Sequence, residues 1–228
     1  MLTLVHGDDI TSSRKYYIDE RQKTESPIVL YGDDLSMNHL TQVFQSTTLF
    51  DIAEKNVFIE NFFQKKENKE FVAYLQAQFK KSNVLIWEPK ELSNPQISLF
   101  KNANIKRFML PKVLFAFLNE LKPNNSKKMI SLFHKALDRV ECELIFFMIT
   151  RQFRLFLAIQ EKSLENQIDE IKRMAPWQKS RLSDQTKLFS KDRLKEIFAK
   201  IMEIEVSQKS GKSILSLPQA IDFLLLSL

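Results

Sequence analysis

Over the first 110 residues, short apolar runs alternate with stretches of helical spacing. Leu2-Thr3-Leu4-Val5-His6 reads as a strand and Gly7-Asp8-Asp9 as its turn, and a helix capped near Asp9 or Thr11-Ser12 continues to about Lys23. Glu25-Ser26-Pro27 breaks the chain before a second strand, Ile28-Val29-Leu30-Tyr31, and a second turn, Gly32-Asp33-Asp34. Helical signals return over 36–44. A third strand runs from Val57 to Glu60, and Phe71, Tyr74, Leu75, Gln78 and Phe79 mark one helix over 67–81. Asn83-Val84-Leu85-Ile86-Trp87-Glu88 is the clearest strand, with an unbroken apolar centre. A short helix over 93–100 and a strand over 105–109 complete the pattern. Strands that alternate with helices predict a parallel, doubly wound sheet.

Past Pro111 the texture changes, and every segment has helix periodicity. Helices are expected near 111–121, 126–138, 141–161, 164–174, 177–188, 190–209 and 216–228. Their punctuation is consistent. Pro111 suits a first turn, Pro123-Asn124-Asn125 is a break, Pro176 starts a helix, Ser190-Lys191-Asp192 is a cap, and Gly211 follows a C-terminal lysine. The expected architecture is an α/β domain over 1–110 joined to an all-α domain over 111–228, without internal repeats.

Composition narrows the function classes. The chain has 228 residues, 44% of them hydrophobic and 19 of them Phe, which is enough for aromatic-rich cores. Only 3 Gly leave little room for Gly-rich phosphate loops, and a single cysteine, Cys142, excludes an internal disulfide. No signal peptide or membrane-spanning run is visible, so a cytoplasmic location is expected. The net charge of +6 is unevenly spread: residues 1–100 hold 11 Lys+Arg against 14 Asp+Glu, and the rest 23 against 14, so −3 stands beside +9. The basic half could face nucleic acid, or be a solvated lysine-rich surface.

Most chemical motifs fail on inspection. Gly7 stands where a phosphate loop begins, but the second Gly and the Lys that such a loop needs are missing, and Asp8 and Asp9 stand where a phosphate would sit. Like charge at that helix start argues against ATP. Gly211-Lys212-Ser213 imitates the end of a phosphate loop but follows a helix, where a C-cap explains it. Tyr31-Gly32-Asp33-Asp34 resembles a metal-binding aspartate pair of polymerases, yet Gly7-Asp8-Asp9 repeats it as a generic strand-to-helix turn. His6, His39, His134 and Cys142 have no zinc spacing. No nucleophile elbow or paired-carboxylate signature occurs. No cofactor, metal or catalytic residue is expected.

Two sets of residues remain. Arg151-Gln152-Phe153-Arg154 puts Arg151 and Arg154 on one helical face, able to meet phosphate or an acidic partner. Trp177 could stack on a base, although packing in the core or between domains is the reading its apolar neighbours favour. The adjacent Leu49 and Phe50 follow Ser46-Thr47-Thr48 and precede Asp51, on a connection between helix and strand. One of them packs inward as an anchor, or both form an exposed wedge for a partner's pocket.

Several of these stretches together resemble the delta subunit of the bacterial DNA polymerase III clamp loader. Phe147-Met148-Ile149-Thr150-Arg151-Gln152-Phe153-Arg154-Leu155-Phe156-Leu157 is similar to that family's Arg-Gln-Phe-Arg-Leu helix, and Ala175-Pro176-Trp177 to its Pro-aromatic helix start. Phe189-Ser190, Leu194 and Lys209-Ser210-Gly211 follow in the family's order. Leu4-Val5-His6-Gly7-Asp8-Asp9 resembles its first strand and acidic turn, and Ser46 to Phe50 with Val57-Phe58-Ile59 its Leu-Phe before a hydrophobic strand. The resemblance implies a RecA/AAA+-like parallel sheet with a degenerate phosphate loop, and a helical collar that joins the other loader subunits, the ATP-binding and delta-prime types. It implies that Leu49 and Phe50 enter the sliding clamp and help open it, with DNA reached through the complex and no membrane involved. The family's small lid domain between sheet and collar is expected to be missing, since the strand at 105–109 passes at once to Pro111. A rival reading is a stand-alone nucleic-acid-binding protein that uses the basic helical half.

Overall fold

The computed structural model describes residues 1–45, 55–64, 68–78, 82–160 and 168–228. They fall into two compact units, Met1–Leu110 and Pro111–Leu228.

The first unit is built on five parallel strands, β1 (Leu2–Gly7), β2 (Ile28–Tyr31), β3 (Lys55–Glu60), β4 (Ser82–Trp87) and β5 (Asn104–Phe108), in the spatial order β2-β3-β4-β1-β5. The helices are α1 (Ile10–Gln22), α2 (Met37–Gln45), α3 (Asn68–Gln78) and α4 (Asn94–Ser98). Alternation along the strands gives two apolar faces. Leu2, Leu4, Leu30, Val57, Ile59, Val84 and Ile86 face a core completed by Leu40 of α2, Phe71, Val72 and Leu75 of α3, and Phe100. Val5, Phe58, Leu85 and Trp87 point the other way, onto Tyr17 of α1. The sheet is therefore covered on both faces, as an all-parallel sheet requires. This is the α/β arrangement that the alternation of strands and helices predicts, and the RecA/AAA+-like parallel sheet that the resemblance implies. β5 is an edge strand whose residues are largely exposed, and its Lys106 and Arg107 put charge along that edge.

The second unit is helical: α5 (Lys112–Asn119), α6 (Ser126–Leu137), α7 (Cys142–Gln160), α8 (Asp169–Arg173), α9 (Pro176–Thr186), α10 (Lys191–Lys209) and α11 (Leu217–Leu226). Helix α7 is central, with Ile145, Ile149, Phe153, Leu155 and Phe156 buried. Phe153, Phe156 and Phe189 stack in one cluster, and Phe117 meets Phe133 across α5 and α6. Leu194, Ile197 and Ile201 of α10 and Ile221 and Leu225 of α11 complete the core.

Among the described residues, some helices are shorter than the spacing suggests, as where 93–100 gives α4 and 216–228 gives α11. Of the helix expected over 164–174 the described part is α8, and of 67–81 it is α3; Phe79 lies outside the described residues. Gly211 does end α10. Its φ of +67° is left-handed, the Gly211 N–H donates to the Gln208 carbonyl at 3.2 Å and the Lys212 N–H to the Ser207 carbonyl at 3.1 Å. That is a Schellman cap, so Gly211-Lys212-Ser213 is helix punctuation. Only Met109, Leu110 and Pro111 separate β5 from α5. Among the described residues no helix is long and apolar enough to cross a membrane.

Candidate functional site

At the phosphate-loop position, the groups that would receive a nucleotide are engaged within the chain. Gly7 has φ +147°, and a Cβ there would stand 1.6 Å from the Phe108 carbonyl oxygen of the neighbouring strand. Glycine is thus required by the close approach of β5 and not by a ligand. The Asp8 carboxylate accepts from the Leu110 N–H at 2.7 Å, which ties the chain leaving β5 to the first turn. Asp9 caps α1 by accepting from the Ser12 N–H at 3.0 Å. A cap of this kind neutralises the helix end that would otherwise attract phosphate.

One turn into α1, Arg14 forms an ion pair with Glu60, at the C-terminal end of β3, at 2.6 Å. The guanidinium also lies 4.4 Å from the Trp87 ring centroid and 5.3 Å from that of Tyr17. The Trp87 indole N–H donates to the buried Ser13 hydroxyl at 3.2 Å. Burial, reinforced by the Glu60 carboxylate, holds the Tyr17 hydroxyl protonated well above phenol's ordinary range. Side chains of α1, β3 and β4 thus fill the ground above the strand ends. Nearby, the Leu92 N–H donates to His6 Nδ1 at 3.2 Å, and burial, then Arg107, lower the His6 pKa. Glu88 accepts from the Phe63 N–H at 2.8 Å, and burial pushes its carboxyl up to about 7. Among the described residues no group of three or more His, Cys, Asp or Glu could hold a metal ion.

Leu49 and Phe50 lie outside the described residues. The elements on either side of them are well anchored. Leu40 of α2 is buried, Val43 and Phe44 pack on the same core, and β3 is paired on both sides. The Lys55 ammonium donates to the Val43 carbonyl at 2.7 Å, so α2 and β3 are tied to each other.

In the helical unit, the Arg-Gln-Phe-Arg run of α7 divides its labour by face. Phe153 is core. Gln152 is buried and its amide donates to Gln185 Oε1 at 3.1 Å; Gln185 in turn donates to the carbonyls of Leu118 and Asn119 at the end of α5, at 3.1 and 3.0 Å. These amides hold α5, α7 and α9 in register around an open groove of about 430 Å³, lined by Phe115, Met148, Arg151, Trp177, Arg181 and neighbours. Trp177 is 65% exposed on this groove, against the expectation that it packs in a core. The reason is its place: Pro176 begins α9, Gln178 accepts from the Ala175 N–H, and the second position of that helix points away from buried Leu182 and Thr186. Arg151 and Arg154 do share a face, and their acidic partner belongs to the same chain. Glu170 of α8 receives the Arg151 Nε–H on one oxygen and Arg154 Nη2 on the other, the latter at 2.7 Å.

Residues 112–226 match the family model described as the DNA polymerase III delta subunit, C-terminal domain. The chain belongs to the DNA polymerase III delta subunit family. That makes it a clamp-loader-type subunit of DNA polymerase III. Among solved structures, this delta-family chain is similar to the DNA clamp loader delta protein of Bacillus subtilis at 14% identity and a TM-score of 0.46, with 99% of this chain and 94% of that chain covered. It is also similar to a DNA polymerase III gamma-subunit-related protein of Thermotoga maritima at 14% identity and a TM-score of 0.34, with 100% and 93% covered. No curated protein matches it.

Sequence reading singled out Arg151, Arg154 and Trp177 but not Glu170, which pairs with both arginines, nor Arg181 and Gln185, which line the groove. Glu170 could not be paired with α7 from spacing, because 16 and 19 residues separate it from its two partners. Arg14 and Glu60 were equally silent: their separation of 46 residues is closed only by the sheet.

Proposed function

We propose that this chain is a non-catalytic delta-type subunit that binds and opens the sliding clamp during DNA replication in the cytoplasm. Energy comes from ATP held by partner subunits. In this reading residues 1–110 are the clamp-binding domain and 111–228 the collar that joins the ATP-binding and delta-prime-type subunits. The family match over 112–226 carries the proposal. The internally engaged phosphate-loop position supports the absence of an ATPase of its own. Exposed Phe147, Val206, Ile214, Phe223 and Leu226 on the helical unit support a collar that meets other subunits. Leu49 and Phe50 are the residues assigned to the clamp pocket, and the anchored α2 and β3 ends beside them support a pre-placed wedge.

The test is clamp binding by surface plasmon resonance, wild type beside Leu49→Ala with Phe50→Ala. Two central apolar anchors are worth about 2 kcal/mol each, so the double variant binds roughly a thousandfold more weakly with unchanged circular dichroism. Equal affinity of the folded variant and the wild type would remove the wedge from the mechanism.

A second reading, a stand-alone nucleic-acid-binding protein, is favoured by one observation: exposed Trp177 beside Arg151 and Arg181. Stacking on the indole with arginine at the backbone is a route to single strands. It requires that the purified chain binds DNA with no partner and with steep salt dependence. Absence of such binding in low salt leaves DNA contact to the assembled loader.

A further inference from the structure

We propose that Arg151 and Arg154 form a site for a phosphate-type anion, and that Glu170 of the same chain occupies it as a displaceable carboxylate. The assignment of that anion to a nucleic-acid backbone rests on the reading of the Trp177 groove given above; the anion site itself rests on geometry alone. The two guanidinium groups stand one turn apart on α7 and converge on a single carboxylate, each taking a different oxygen. Two donors closing on two oxygens of one anion is how arginine pairs receive a phosphate. Glu170 reaches them from α8, a five-residue helix in which Ile171 is the one buried residue and Asp169, Glu170, Lys172 and Arg173 are charged. Among the described residues, this short helix is held by Ile171, by this contact and by the Lys179 ammonium, which donates to the Lys172 carbonyl at 3.3 Å.

The surroundings favour an anion over the carboxylate that is there. Arg151 lines the groove together with Trp177 and Arg181, and Arg181 has no carboxylate partner among the described residues. With Arg151 and Arg154 of α7, helices α8 and α9 bring Lys172, Arg173, Lys179 and Arg181, six cations against Asp169, Glu170 and Asp184 of α8 and α9. The Arg154 side chain is 55% exposed and the Glu170 side chain 29%. Ion pairs of that exposure are weak and screened by salt, so a polyanion competes with them. With Glu170 in place, the chain presents a damped basic face. With Glu170 released, Arg151 is freed on the groove beside the exposed indole, and Arg154 one turn along α7.

Glu170→Gln in the full chain tests this with two probes. Inorganic pyrophosphate, followed by NMR at the arginine Nε–H signals, reads the anion site alone. Labelled oligothymidylate, followed by fluorescence anisotropy across a salt series, reads nucleic acid. Removing the competing charge should tighten both by about tenfold, the equivalent of one charge-assisted bond. The salt slope for the oligonucleotide should steepen by about 0.7 for each phosphate gained. Adding Arg151→Ala and Arg154→Ala should abolish the gain, and Glu170→Ala should reproduce it. A Glu170→Gln chain that binds pyrophosphate no more tightly than wild type overturns the proposal, whether or not it melts earlier; earlier melting without tighter binding makes Glu170 a structural staple. Tighter pyrophosphate with unchanged oligothymidylate keeps the anion site and removes the nucleic-acid reading of the groove.

Discussion

Replacing Glu88 by glutamine should stabilise the α/β unit at neutral pH and abolish most of its pH dependence near pH 6. Glu88 directly follows β4 and is 6% exposed, with the Phe63 N–H donating to it at 2.8 Å. Burial raises its pKa from 4.5 to about 7, opposed by the backbone N–H groups of Phe63 and Phe62 and by Lys90. The sign follows from proton counting. Between pH 4.5 and about 7 the folded chain holds a proton at Glu88 that the unfolded chain has released, so stability falls as pH rises through this window. Below it both states are protonated and above it both are ionised, so the loss is complete near pH 8. At about 1.4 kcal/mol per pH unit, the window costs about 3 kcal/mol. Glutamine keeps an acceptor for the Phe63 N–H and cannot ionise. The stability difference between variant and wild type should therefore grow by about 3 kcal/mol from pH 4 to pH 8. The chain has two tryptophans, Trp87 in the first unit and Trp177 in the second. In a Trp177→Phe background, urea unfolding read by Trp87 fluorescence reports the α/β unit by itself. A difference that is the same at pH 5 and pH 8, or a variant less stable at pH 8, would refute the reasoning.

Other outcomes follow from single contacts. Arg14→Ala leaves the Glu60 side chain, 6% exposed, without its cation, and should cost the first unit about 3 kcal/mol by denaturant unfolding, with Arg14→Met recovering part of it through packing. Glu120 is held down to about 2 by Lys128 and Lys122, so its contribution is full above about pH 4.5 and is lost as pH falls toward 2; Glu120→Gln should cost the helical unit at most about 1 kcal/mol at pH 7 and nothing at pH 2. Gly211→Ala forces a side chain into left-handed backbone with nothing nearby to clash, so it should lower stability by about 1 kcal/mol without altering clamp or DNA binding. Cys142 is pushed up to about 11 by burial and by Glu143 and Asp222; alkylation by iodoacetamide should be slow at pH 8 and accelerate toward pH 11.

Much of this protein is written in local pattern. Unbroken apolar runs such as Val57 to Ile59 specify a strand buried on both faces, and the helical spacing of α7 a helix with a buried stripe; both requirements are visible in a few consecutive residues. Turn chemistry is local too: Gly7-Asp8-Asp9 reads as a strand-to-helix turn with its cap at Asp9, and Gly211 as a helix end. The resemblance of the Arg-Gln-Phe-Arg helix to the delta family was also legible, because that run keeps its core and groove residues on fixed faces. What the tertiary structure decided is which distant groups meet. Arg14 finds Glu60 only because β1 and β3 lie in one sheet, and Glu170 finds Arg151 and Arg154 only because α8 returns to α7. Trp177 is exposed because the start of α9 faces away from buried Leu182, a direction that helix packing sets and apolar neighbours in the sequence do not. Spacing determines which face of an element is apolar; only the packing of elements determines which charge stands opposite another, because that contact joins residues whose separation along the chain carries no period.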